Sequence, residues 1–174
     1  MSGRSAGRNV RQSQGDESRA VARGRNVHLN VLLLANRNLD ELETICRTVD
    51  LTHAQYVALF VLCLADDPDA GMPIGAVADG LLNRASDTTR LVDRLERAGL
   101  AERFPNPADR RGVLVRATPQ GRAVFEVVTP EINALHERQW SNLSVDETRQ
   151  LDRLLLKALW GADLGASRFA DPAK

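Results

Sequence analysis

Between residues 27 and 49, apolar side chains return every three or four positions. Leu29, Leu32, Leu33, Leu39, Leu42 and Ile45 form this stripe, with Asn36 in line. The spacing is that of one helical face. The stripe widens at Val31 to Leu34, where consecutive residues are apolar. A helix with so wide a face is expected to be covered on more than one side, with a partner subunit as one cover. A second helix opens at Leu51-Thr52-His53-Ala54-Gln55-Tyr56. Thr52 and Gln55 are spaced for a capping box, and Leu51 and Tyr56 for a hydrophobic staple. That helix is predicted to reach about Ala65 before the turn-rich Asp66-Asp67-Pro68-Asp69-Ala70-Gly71 ends it.

A short helix after Pro73 carries Ile74, Val77, Ala78 and Leu81 on one side. The next is predicted over 85–98. On a helical wheel Thr88, Leu91, Val92 and Leu95 share one arc, while Ser86, Asp87, Arg90, Arg94 and Arg97 share the opposite one. Gly99 is suited to the C-terminal stop. Residues 100–104 and 112–117 read as two short strands, with a stiff basic tip, Pro105-Asn106-Pro107-Ala108-Asp109-Arg110-Arg111, between them. Thr118-Pro119 is an N-cap followed by proline at the first helical position. The helix it opens carries Val124, Phe125, Val128, Ile132 and Leu135, with Pro130 inside it. Ser144-Val145-Asp146-Glu147 is a further capping box, ahead of a helix with Leu151, Leu154, Leu155, Leu159 and Trp160 that Gly161 closes.

Residues 1–20 contain almost nothing apolar, so a flexible basic arm is expected there, with an ordered helical start beyond about residue 16 as the alternative. A loose tail is expected over 162–174. The expected organisation is therefore an arm (1–20), an N-terminal dimerisation helix (21–50), a central module (51–121), C-terminal dimerisation helices (122–161) and the tail. The 174 residues suffice for one core without staples. Apolar runs are too short for a membrane span, the start lacks a secretory h-region, and Cys46 and Cys63 are the only cysteines. A cytoplasmic protein without membrane association is the expectation.

The net charge of zero hides an uneven distribution. Residues 1–25 carry six Arg against Asp16 and Glu17, and 26–83 carry two basic against eight acidic side chains. Residues 84–122 carry nine Arg against five acids, and 123–174 six basic against eight acidic. A basic segment within an acidic scaffold is the footprint of a localised polyanion site. Basic residues comprise 21 Arg and two Lys. Arginine binds phosphate and guanine in a fork that lysine cannot match, although genome base composition produces the same bias.

A short helix, a tight connection, a helix with an Arg face and a basic hairpin follow in the order of a winged helix-turn-helix. The major groove admits one helix whose first turns reach base edges. An Arg on a hairpin tip can enter the adjacent minor groove. A solvated charged helix beside a surface hairpin is the plainer reading of the same residues. The sequence Leu91-Val92-Asp93-Arg94-Leu95-Glu96-Arg97-Ala98-Gly99-Leu100, then Asp109-Arg110-Arg111, then Arg116-Ala117-Thr118-Pro119-Gln120-Gly121 resembles the MarR family of transcription regulators over roughly residues 27–160. That resemblance implies a mainly α fold, a winged helix-turn-helix with a two-stranded β-wing and long N- and C-terminal dimerisation helices. It also implies a homodimer on a pseudopalindromic duplex, acting as a repressor released by a small-molecule effector or an oxidant, the effector pocket lying between the dimer helices and the winged module. By matching position, Ser86, Asp87, Thr89 and Arg90 belong to the first turns of the DNA-facing helix, and Arg84 just ahead of it and Arg94 a turn further on are expected to contact DNA as well. Asp109, Arg110 and Arg111 belong to the wing tip, with Asp109 orienting Arg111. Asn83 and Thr88 depart from the family pattern, which is apolar there.

Two rival classes stay open at this point. One is a winged helix that contacts only protein. The other is a thiol-based oxidant sensor using Cys46 or Cys63, which needs a low-pKa, accessible sulfur. Cys63 lies among Val61, Leu62 and Leu64, and Cys46 has Glu43 and Arg47 nearby. His28, His53 and His136 have no metal-ligand spacing. No phosphate loop, nucleophile elbow or paired-carboxylate motif stands out. Neither metal, cofactor nor catalysis is expected.

Overall fold

The computed structural model describes residues 6–81 and 88–161, with the side chains of 6–20, 110, 111 and 160 left aside. Its elements are α1 (Ala6–Arg47), α2 (His53–Cys63), β1 (Met72–Pro73), α3 (Ile74–Gly80), α4 (Thr88–Arg97), β2 (Ala101–Asn106), β3 (Asp109–Ala117), α5 (Pro119–Trp140) and α6 (Val145–Trp160). They divide into two units, residues 1–41 and 42–174. The division falls ahead of the expected 50/51 boundary because Leu42 and Cys46, on the last turns of α1, are buried in the core of the second unit.

In the first unit, α1 begins at Ala6. The backbone of 6–20 is thus helical where the polar composition predicts a flexible arm. The stretch has no proline, and extending an existing helix costs far less than nucleating one. The apolar stripe lies open: Val27, Leu29, Val31, Leu32, Leu33, Leu34 and Leu39 are all exposed.

The second unit opens on a C-terminal helix motif. Leu51 N–H donates to the Cys46 carbonyl at 3.1 Å and Asp50 N–H to that of Arg47 at 3.2 Å. Asp50 takes the left-handed conformation, φ 59°. This is a Schellman stop, and its hydrophobic partners are Leu51 and Cys46, both buried. The chain then enters α2 through the expected capping box of Thr52 and Gln55. The first free amide of α2, that of His53, donates to Glu43 Oε2 at 2.7 Å, where a carboxylate also meets the positive end of the helix. The helix ends at Cys63, and Leu64, expected inside, is exposed.

Helix α4 closes on a second Schellman stop. Leu100 N–H reaches the Leu95 carbonyl and Gly99 N–H that of Glu96, both at 2.9 Å, with Gly99 at φ 72°. Leu95 and Leu100 are buried. The sheet has the order β1-β3-β2, antiparallel throughout. The expected wing is two-stranded; β1 adds a two-residue third strand, Met72 pairing Val115 and Pro73 pairing Leu114. Two residues are too few to display an alternating pattern. As an edge strand β2 tolerates Pro105. The core joins Leu59 and Leu62 of α2, Val77, Val92 and Leu95, Val115, and Val128, Ile132 and Leu135 of α5. Val128 and Ile132 are thus buried in this chain's own core. Val127, Val145, Leu154 and Leu159 are the exposed large apolar residues among the described side chains of the C-terminal helices. The expected tail over 162–174 lies outside the described residues.

Candidate nucleic-acid interface

Helix α4 presents two chemically opposite sides. Thr88, Val92 and Leu95 are buried and Leu91 packs against the core, while Thr89, Arg90, Arg94 and Arg97 are exposed. Thr88, at a position where the family pattern is apolar, is 8% exposed and does an apolar residue's packing. Of the expected helix-face residues, the structure therefore brings Thr89, Arg90 and Arg94 to one solvent-facing side. Arg84, Ser86 and Asp87 lie outside the described residues.

The wing differs from expectation at its tip. Residues 105–111 are predicted as a loop, but β2 runs to Asn106 and β3 starts at Asp109. Pro107 and Ala108 alone connect them. Asn106 Oδ1 accepts from the Ala108 amide at 2.9 Å, a local side-chain turn that polar residues offer the backbone. Pro105 pairs Val113 while Asn106 pairs Asp109. Arg110, Arg111 and Gly112 are the extra residues of a bulge, a device that re-aims side chains near functional sites. The bulge pattern has no signature in a single sequence, so the strand extension is not legible there. Asp109 is exposed. The side chains of Arg110 and Arg111 lie outside the described structure, so only their backbone positions are placed.

Helix and wing are tied by a residue that periodicity did not single out. Arg103 on β2 places Nη2 2.7 Å from Asp93 Oδ1 and Nη1 2.5 Å from Glu96 Oε2. Its Nη2 also lies 3.4 Å from the Thr89 carbonyl oxygen. All three acceptors belong to α4. Burial works against the charge of Arg103, yet the bonds to Asp93 and Glu96 outweigh it and raise the guanidinium pKa above its ordinary value. The wing base has its own pair, Arg116 Nε to Glu102 Oε1 at 2.7 Å. Arg116 also donates to the Asp69 carbonyl at 3.0 Å and lies over the Phe104 ring. Gly71 is required beneath that ring, because its φ is +68° and a Cβ would stand 2.9 Å from both Phe104 and the Val115 carbonyl.

The cysteines have the wrong environment for a reactive thiolate. Burial, helped by Glu43, pushes the Cys46 thiol up to about 11. Cys63 is also pushed up to about 11 by burial, which outweighs the opposing charge of Arg122. Among the described residues no group of three or more His, Cys, Asp or Glu is placed to hold a metal ion. No helix among them is long and apolar enough to cross a membrane.

A profile described as the MarR family matches residues 49–112, the stretch holding α2 to the wing tip. The multiple antibiotic resistance protein MarR of Salmonella typhimurium is 46% identical over 72 residues, 41% of this chain and 50% of that protein. This alignment therefore spans half the length of that curated relative. A cysteine-to-serine variant of MarR from Escherichia coli, solved in complex with operator DNA, is 31% identical with a TM-score of 0.68, covering 81% of this chain and 96% of that one. BpsR of Bordetella bronchiseptica, solved to address regulation of its DNA binding by 6-hydroxynicotinic acid, is 25% identical with a TM-score of 0.68, covering 77% and 93%. With this fold and these relatives, the chain belongs to the MarR family of transcription regulators.

Proposed function

We propose that this chain is a cytoplasmic, sequence-specific, duplex-DNA-binding transcription regulator that acts as a homodimer on a pseudopalindromic operator. The observation that carries the reading is the two-sided α4. Its inner side is anchored in the core by Val92 and Leu95, and its outer side carries Thr89, Arg90, Arg94 and Arg97 beside a basic wing. In this reading α4 enters the major groove. Thr89 and Arg90, with Arg84, Ser86 and Asp87 ahead of them, face base edges, and Arg94 faces phosphate. The wing lies along the adjacent minor groove, with Asp109 orienting Arg111 and Arg110 near the backbone. The exposed stripe of the first unit and Val127, Leu154 and Leu159 of the second supply the apolar faces of the dimer. Two-fold symmetry would then present two recognition helices one DNA turn apart. The relationship to a MarR–operator complex and to the ligand-responsive BpsR favours repression relieved by a small effector.

The decisive experiment titrates the full chain against duplexes from its own upstream intergenic DNA, at two salt concentrations. The reading expects tight, sequence-dependent binding whose logarithm falls with log salt at about 0.9 per phosphate contacted. A winged helix used only against protein gives no salt-dependent duplex binding. The thiol-sensing alternative is disfavoured by the raised pKa values of both cysteines.

A further inference from the structure

We infer that Arg103 is a positioning residue for DNA recognition, a strut that fixes the wing relative to the recognition helix. The inference rests on the DNA-binding reading above and extends it to a residue that need not touch DNA. Three observations carry it. Arg103 sits on β2 with its backbone paired to Val115 of β3, so it moves with the wing. Its three acceptors, Thr89, Asp93 and Glu96, are all on α4, at steps of four and three residues that bring them to one helix side. The Arg103 side chain is 22% exposed and its carboxylate partners Asp93 and Glu96 about 40%, so the strut works through the directional, charge-assisted geometry of its fork rather than through exclusion of water.

The arrangement has two consequences. First, Arg90 and Arg94 on the helix and Arg111 on the hairpin must meet one duplex together. A flexible joint between them would have to be ordered on binding, and pre-ordering it removes that cost. Second, Asp93 and Glu96 lie beside the Arg face that is read as facing phosphate. Arg103 places a positive charge between them and offsets their repulsion of a polyanion. Lysine would supply the charge but not the planar fork that spans two carboxylates.

The test compares wild type, Arg103→Gln, Arg103→Lys and, as a remote charge control, Arg149→Gln. In the free protein, hydrogen exchange reads the strut without DNA. Arg103→Gln and Arg103→Lys are expected to raise exchange at the amides of 106 and 108–113 by about tenfold, with α2 amides unchanged. For DNA, duplexes are selected from a pool with a random core of about two helical turns, and affinity for the selected duplex is compared with that for the pool. Arg103→Gln and Arg103→Lys are expected to lower this ratio by about fivefold or more, as expected for misplaced base contacts. Arg149→Gln should leave it unchanged. Mere loss of folded protein would lower both affinities and leave the ratio intact. Unchanged wing exchange in Arg103→Gln, or full recovery of both readouts by Arg103→Lys, overturns the strut. A wild type that does not distinguish duplexes refutes the DNA-binding reading instead, and the exchange experiment then judges the strut alone.

Discussion

The carbonyl oxygen of Leu100 lies where residue 121 has no room for a side chain: a Cβ on Gly121 would stand 2.0 Å from it. The contact seats the first turn of α5 on the exit from α4. The Thr118 amide donates to the same Leu100 carbonyl at 3.0 Å, and the Thr118 hydroxyl donates to the Gly99 carbonyl at 2.6 Å while accepting from the Gly121 amide. Gly121→Ala must push backbone from backbone, which no rotamer change relieves. We expect a loss of about 2–3 kcal/mol, at the upper end of ordinary overpacking, read by urea denaturation. An unchanged midpoint would show that the α4–α5 junction yields.

Cys46 and Cys63 are expected to be poor nucleophiles. With thiols near 11, the thiolate fraction at pH 7 is about one part in ten thousand. Iodoacetamide should modify the native protein far more slowly than the unfolded chain. Peroxide should leave duplex binding unchanged over the same interval. Rapid loss of binding with peroxide, prevented by Cys46→Ser or Cys63→Ser, would contradict this.

His53 makes stability sensitive to mild acid. Burial lowers its pKa, His136 lowers it further, and Glu43 opposes both only in part. The native state therefore resists a proton that the unfolded chain accepts near pH 6.5. The contribution is intact above that value and is lost as pH falls toward the lower native pKa. The melting temperature of wild type should fall between pH 7.5 and 5.5, and His53→Gln should fall less. Equal slopes for the two proteins would remove His53 as the cause.

In the proposed dimer, assembly and folding draw on different leucines. Leu135 is buried in the core, whereas Leu33 and Leu159 are 68% and 70% exposed. Leu33→Asp and Leu159→Asp are expected to shift the mass by light scattering from dimer toward monomer, with helix content retained. Leu135→Asp should unfold the chain, since an unpaired buried charge is costly. A monomeric wild type at micromolar concentration would contradict the dimer.

Local chemistry was the most legible part of the sequence. Thr52 with Gln55, Ser144 with Glu147, and Thr118 with Pro119 each act within one helical turn, and each cap forms as its spacing predicts. The inward arc of α4 was legible for the same reason. What escaped depends on residues distant in the chain. Arg103 reaches Asp93 and Glu96 only because the Gly99 stop turns β2 back along α4. Strand β1 exists only because β3 lends it a partner. The bulge at Arg110-Arg111-Gly112 is a mismatch between two strands, which neither strand encodes alone. The burial of Cys46 follows from its pairing with Leu51 around Asp50, a motif that lacks the usual glycine.

Recognition of an operator depends most directly on whether α4 reads base edges. The measurement is the ratio of selected-duplex to random-duplex affinity for wild type, Arg90→Ala and Arg94→Ala, across a salt series. Arg90→Ala should lower the ratio by about tenfold, the loss of one bidentate base contact. Arg94→Ala should weaken both affinities alike and flatten the salt slope by about one, the loss of one phosphate contact. If Arg90→Ala leaves the ratio of the wild type intact, α4 is not the element that reads sequence.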